Sequence, residues 1–377
     1  MKNTSTHFKP LLILLMFMFC IQDHIKAQSK SVILEVANKS KMAYTHKVME
    51  IPWASILQKW ETIDTSKLIV LDAATQEQII FQLDINTNNQ IQNLLVQLSI
   101  PPSQSSKILL TYGNRKNFTT KTFGRYVPER KEDFAWENDR IAFRMYGKEL
   151  EKTPAEMGYG MDVWVKRTER MILNERYKRG EYHIDHGDGM DYYHVGYSLG
   201  AGSMMPIYHD SIYYSKNYVS YKVLNNGPLR TTFQLIYDAW SVGANTVKAT
   251  KTISLDAGSQ FNKITVDYDG VQDSVWQVAA GLVLREGKGI KYEDEQNGIM
   301  AYWEPMHGAD GTTGVACIFT NPVNKMIEQK GQLLAKSNTS SRHSITYYAG
   351  AVWDRAGLIK NADEWIAFVK HFKMEME

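Results

Sequence analysis

Cysteine is nearly missing from this chain of 377 residues, which has only two, Cys20 and Cys317. Cys20 closes the apolar run Leu11–Ile21, which follows Lys2 and Lys9. That run suits the hydrophobic stretch of an export signal and is too short to span a bilayer. Ile25-Lys26-Ala27 offers a small residue for cleavage, so a cut after Ala27 is expected, and with it a periplasmic or secreted protein. Phe19, where lipid attachment to Cys20 would need a small residue, speaks against a lipoprotein. Cys317 then stands alone within the apolar Gly314-Val-Ala-Cys-Ile-Phe319, which excludes an intramolecular disulfide and suggests a buried small hydrophobe.

A charge of one sign is also lacking. Residues 1–27 carry Lys2, Lys9, Lys26 and Asp23, so their removal brings the 43 basic and 41 acidic residues to 40 each. A neutral mature chain has no general attraction to nucleic acid or anionic lipid. No later run is long and apolar enough for a transmembrane helix. Phosphate-binding loops, a Gly-x-Ser-x-Gly elbow and a dinucleotide fingerprint are missing too, against kinase, elbow-hydrolase and dehydrogenase classes.

What the chain has is strands. Ser31–Val36, Leu68–Asp72, Ile79–Leu83, Leu94–Leu98 and Ile108–Tyr112 are spaced by turn-forming segments and predict a small N-terminal β-sandwich over 28–112. The polar, basic stretch 113–133 reads as a linker. From 134 to 377 strands dominate again, with a hairpin signal at Asn225-Asn-Gly-Pro228. The one clear helical segment starts at Asn361, where Glu364 gives capping-box spacing. The fold expected is all-β, with a large antiparallel double-sheet sandwich in second place.

Polar side chains concentrate in His183-Ile-Asp-His-Gly-Asp-Gly-Met-Asp-Tyr-Tyr-His194. Glycines make it a loop, and loops on a rigid β scaffold often carry sites. Histidine and tyrosine offer an acid/base pair: His194 or His186 as the base and Tyr193 as the acid, with His183 and Asp188 as binding groups. Tyr192 and Tyr193 would point to opposite faces of an extended chain, so only one shares a face with its partners. The alternative is a surface loop whose aspartates cap turns. Asp185, Asp188 and Asp191 supply oxygens of the kind calcium uses, without EF-hand spacing, and no tight zinc signature appears. No cofactor is expected, with calcium kept as the alternative.

Trp136-Glu-Asn-Asp-Arg140 offers a ring for a sugar face, with Glu137 and Arg140 for hydroxyls or a carboxylate, unless Trp136 is core. Arg167 leads a basic stretch reaching Arg179 that suits an anionic glycan or a solvated face. Trp303-Glu-Pro-Met-His307 and Tyr347–Asp354 put aromatics beside His307 and Asp354, lining a cleft or merely edging the core.

Trp136–Gly147, Gly160–Arg167, the His183–His194 loop and Gly227-Pro-Leu-Arg230 together resemble the exported bacterial family called domain of unknown function 4861, over nearly the whole mature chain. The resemblance implies a galactose-mutarotase-like supersandwich for the second domain. That scaffold hosts sugar epimerases, glycoside hydrolases and polysaccharide lyases, and such proteins are associated with breakdown of pectin and other uronic-acid glycans. The family carries no catalytic assignment. The function expected is action on an acidic oligosaccharide or polysaccharide. A lyase would use the His/Tyr set with Arg140 or Arg167 neutralising the carboxylate. A hydrolase would use two carboxylates, for example Glu137 and Asp188. A non-catalytic sugar-binding protein and a mutarotase are the alternatives. A pocket shared by the histidine loop and Trp136 would favour the enzyme.

Overall fold

The structure, a computed structural model, describes residues 31–376; the expected signal and its cleavage site lie outside them. Alternation builds the N-terminal sandwich. In Val32–Ala37, Val32, Leu34 and Val36 face inward while their neighbours face solvent. This strand pairs with Ser105–Tyr112, which pairs with Leu68–Asp72. The facing sheet runs Tyr44–Pro52, Ile91–Ile100, Phe81–Ile85. Trp53, Trp60, Leu94, Val96, Ile108 and Leu110 fill the space between. A five-residue helix, Trp53–Leu57, follows Pro52, whose fixed φ suits a helix start.

The stretch expected to be a linker is only partly one. Residues 114–121 form no helix or strand, but Thr122–Val127 is a strand of the second domain, paired with Asp133–Asn138. Its buried positions are Thr122, Gly124 and Val127, which give no regular apolar alternation to mark a strand beside the flanking basic residues.

Three sheets make the second domain. One runs in chain order: Thr122–Val127, Asp133–Asn138, Ile141–Met145, Asp162–Lys166, Gly189–Met190. Another runs Ser211–Ile212, Ala201–Tyr208, Gln277–Val283, Gln332–Asn338, Lys325–Gln329. The third has eight strands in the order Ser220–Asn226, Arg230–Val242, Asn245–Asp256, Phe261–Asp269, Ser344–Trp353, Thr313–Phe319, Ile299–Trp303, Ile290–Asp294. One core joins them, with Phe134 and Phe143 from the first sheet, Met204 and Val278 from the second, and Phe233, Ile253 and Cys317 from the third. Cys317 is fully buried there. The architecture is all-β and antiparallel, as expected.

The helix Ala362–Met376 covers the other face of the eight-stranded sheet, packing Trp365 and Val369 on Ile299, Ala316 and Val352. Its start is the capping arrangement read from the sequence. Asn361 Oδ1 accepts from the Glu364 N–H at 2.9 Å, and Glu364 Oε2 accepts from the Lys360 N–H at 2.8 Å. Among the described residues no helix is long and apolar enough to cross a membrane.

Candidate functional site

The polar loop divides into two halves with different surroundings. Its first half is tied down. Asp185 Oδ1 accepts from the N–H groups of Gly187 and Gly189 at 2.8 and 2.9 Å, the turn-capping alternative. Gly189 has φ +101°, and a Cβ there would stand 2.2 Å from the Val165 carbonyl oxygen, so only glycine fits. The Asp185 carboxylate also pairs with Arg167. Asp188 is buried, with its carbonyl accepting from Arg167 N–H and Arg176 Nη2 at 3.2 and 3.0 Å. Asp191 is buried against Arg144 at 3.0 Å, and Arg144 also holds Asp162 at 2.5 Å. Burial first, then the like charge of Asp162, pushes the Asp191 carboxyl well up. His183 and His186 lie on the exposed rim. His183 Nδ1 is 2.7 Å from the Asp191 carbonyl oxygen, and His186 Nε2 is 3.5 Å from Glu181.

Several expected binding groups lie inside the molecule. Trp136 is fully buried, its Nε1 donating to Asn262 Oδ1 at 2.7 Å and its ring stacked on Phe143. A ring with both faces packed cannot receive a sugar, so Trp136 is core, and the loop and Trp136 share no pocket. Glu137 is equally buried. One oxygen pairs with Lys166 Nζ at 2.6 Å, and the other accepts from the N–H groups of Ile172 and Leu173 at 2.7 and 2.8 Å. Both its oxygens are buried and bonded to protein, so neither substrate contact nor a hydrolytic pair with Asp188 is open to it. Arg140 is partly exposed and pairs with Glu169 at 3.2 Å. Among the described residues no group of three or more His, Cys, Asp or Glu side chains is arranged to hold a metal ion, the aspartates of the loop included.

The second half reaches a different place. Strand register sets Thr313 opposite Trp353 and Gly314 opposite Trp303, so the turn 304–312 and the segment after Trp353 meet at one end of the eight-stranded sheet. Tyr192 lies against that end. Its hydroxyl is 2.5 Å from Thr313 Oγ1, and its ring stacks on His307 with centroids 5.4 Å apart and planes at 24°. His307 Nδ1 is 3.0 Å from Asp310 Oδ2. Trp353 Nε1 donates to the Asp310 carbonyl at 2.8 Å, and the Arg167 guanidinium lies 5.8 Å over the Trp353 ring. Burial, reinforced by Glu304, Asp354 and Asp310, raises the Tyr192 phenol well above its usual range and keeps it protonated at neutral pH.

Arg285, after the strand Gln277–Val283, joins this cluster. Its Nε donates to Glu304 Oε1 at 2.8 Å and its Nη1 to the His194 carbonyl at 2.6 Å. Nη2 has no partner. Burial raises the Glu304 carboxyl, and Arg285 opposes that rise. His194 contributes its main chain here; its ring is exposed and folds toward Gly196. Tyr193 points the other way, into the core. It is 4% exposed, its hydroxyl is buried and unpartnered, and the Arg285 guanidinium covers its ring at 4.4 Å. Burial pushes this phenol far up. A hydroxyl sealed from solvent cannot protonate a leaving group, so Tyr193 is not the acid; its neighbour Tyr192 is only half-buried.

Tyr192, His307 and Asp354 thus come from three segments that were conspicuous separately. Arg285, Thr313 and Asp310 were missed. Leu284-Arg-Glu-Gly287 has no spacing that links it to a loop ninety residues earlier, and only the pairing of distant strands brings it there.

The model of the family described as "Domain of unknown function (DUF4861)" matches residues 36–377. "Uncharacterized protein P7" of Formosa agariphila is 30% identical over 335 residues, covering 84% of this chain and 80% of that protein. Among solved structures, an alpha-mannosidase from Enterococcus faecalis V583 superposes on 92% of the chain with a TM-score of 0.50 and 10% identity. A glycosyl hydrolase family 38 protein from Enterococcus faecalis does so over 93%, also at 0.50, with 9% identity. The chain spans 45% and 47% of those two structures, and at such identity they share its fold alone.

Proposed function

This chain belongs to the DUF4861 family, whose description assigns no activity, and on the geometry of its own residues we propose that it is an exported enzyme cleaving a carboxylate-bearing glycan by β-elimination. The cleaving groups are those at the end of the eight-stranded sheet. The observation that carries this reading is the stack of His307 on Tyr192, with Asp310 at His307 Nδ1. A carboxylate on Nδ1 fixes the tautomer that leaves Nε2 as a base. Tyr192 stays protonated and serves as an acid. Arg285, whose Nη1 contact with the His194 carbonyl is exposed, is the cation for the substrate carboxylate, in a role first expected of Arg140 or Arg167.

In the proposed step His307 takes the proton from the carbon beside the carboxylate. The released electron pair forms a carbon–carbon double bond, the bond to the glycosidic oxygen breaks, and that oxygen takes the Tyr192 proton. Proton return from His307 to Tyr192 through solvent resets the pair. Glu304 keeps Arg285 in place. The glycosidase names of the two solved structures with this fold support a carbohydrate substrate, and the charged start before Leu11–Ile21 supports export.

A hydrolytic reading draws on the raised Glu304 carboxyl, a proton donor of the kind glycosidases use. Product chemistry separates the two. Incubation with uronic-acid oligosaccharides is expected to give fragments absorbing as unsaturated uronates, with no mass gain from water. Fragments heavier by one water per cut point to hydrolysis, and an unchanged panel overturns the enzyme reading.

A further inference from the structure

A cavity of about 500 Å³ lies away from that site, where three parts of the chain meet. The N-terminal sandwich brings the strand Tyr44–Pro52, the supersandwich brings residues 254–263 and Tyr348, and the C-terminal helix brings its last two turns. Domain junctions are common places for ligands, and the volume is within the roughly 300–1,000 Å³ usual for small-ligand sites.

The lining is mixed. Phe372 and Tyr348 give an aromatic wall, with ring centroids 5.4 Å apart and nearly perpendicular. Carboxylates in the lining are all engaged. Asp256 and Glu50 hold Arg230 at 2.5 and 2.7 Å, and Glu375 holds Lys47 at 2.7 Å and His371 at 2.9 Å. Lys263 makes no ion pair among the described residues, although it lines the cavity. Two lining groups are buried and lack any hydrogen-bond partner: Gln260 Oε1, on a residue 4% exposed, and His371 Nδ1. An aromatic wall and an exposed cation outside any ion pair match a sugar ring that offers an apolar face and a carboxylate.

We propose that this cavity is a second carbohydrate-binding site, holding one or two uronate residues against Phe372 and Tyr348, with Lys263 meeting the carboxylate. The choice of a sugar rests on the carbohydrate reading given above. The site cleaves nothing. It holds a glycan chain on the enzyme while the end of the eight-stranded sheet acts on another part of that chain or on a neighbouring one.

The test is calorimetric binding of oligogalacturonates of two to six residues to the full chain, with turnover measured in parallel. Neutral galactooligosaccharides of equal length are the control. Lys263→Ala changes an exposed residue and should fold normally; Phe372→Ala removes the wall. Both are expected to weaken oligogalacturonate binding at least tenfold while leaving turnover of the shortest cleavable substrate within twofold. His307→Gln is expected to do the reverse, abolishing turnover and keeping the cavity's binding. Binding that is indifferent to both cavity variants overturns this proposal and leaves the catalytic reading intact. Binding that responds to them in a protein without turnover overturns only the catalytic reading. No binding of any probe overturns both.

Discussion

The two halves of the 183–194 loop use the same residue types, and they differ in where their charges end. From Asp185 to Asp191 each carboxylate is capped, buried or paired: with glycine N–H groups, beside Arg176, or on Arg144. At Tyr192 the chain crosses to the end of the eight-stranded sheet, where His307 and the contact of Arg285 with the His194 carbonyl are exposed. A polar atom sealed inside the protein holds the fold; one that still reaches solvent can meet a ligand. The same contrast separates Glu137, with both oxygens committed, from Glu304, with Arg285 alone as its side-chain partner.

The comparison breaks most readily at its buried side. Glu137→Ala leaves Lys166 as an uncompensated charge in the interior and is expected to cost about 3–5 kcal/mol, read by denaturant unfolding. Trp136→Ala should cost a similar amount by leaving a cavity, about 3–5 kcal/mol. A cost below about 1 kcal/mol for either would put these residues at the surface.

At the open side the expected effect is on rate. Tyr192→Phe and His307→Gln should each lower turnover about a hundredfold or more, as for a lost acid or base, with little movement of the melting temperature. His194→Gln should lower it less than tenfold, because His194 holds Arg285 through its carbonyl, which the substitution keeps. A hundredfold loss there would make the His194 ring the base.

A third prediction concerns the middle of the sandwich. Lys251 faces inward in the strand Asn245–Asp256, with Nζ 4.7 Å over the Tyr237 ring and no hydrogen-bond partner. Burial lowers its pKa from 10.5 to about 7. Between those values the unfolded chain binds a proton that the native chain does not, so stability should rise with pH from about 7 to about 10.5. Lys251→Met should flatten that rise and stabilise the protein at pH 7, seen in unfolding midpoints across the range. An unchanged slope would contradict the assignment. The smallest effect belongs to Cys317→Ser, which buries a hydroxyl and should cost about 1–3 kcal/mol without altering turnover.

Local signals were legible in the sequence. The capping arrangement at Asn361 and Glu364, a hairpin turn at Gly227 and Pro228, just past the two asparagines, and the opposite directions of Tyr192 and Tyr193 all follow from short-range geometry. The sequence also marked the loop, the Trp303–His307 segment and the Tyr347–Asp354 segment separately. Their meeting was not legible, because it depends on the register between strands far apart in the chain. Nor was the burial of Trp136 and Glu137. Glu137 finds its cation 29 residues away, and a tryptophan beside charged residues looks the same on a surface as at a strand that enters the core.

The central claim is that proton transfer belongs to the open half. It is tested most directly by measuring turnover of uronic-acid oligosaccharides and melting temperature together for the wild type, Tyr192→Phe and Tyr193→Phe. The account predicts a hundredfold or larger loss for Tyr192→Phe at an unchanged melting temperature, and turnover within a few-fold of wild type for Tyr193→Phe. Full activity in Tyr192→Phe, with loss confined to Tyr193→Phe, would contradict it.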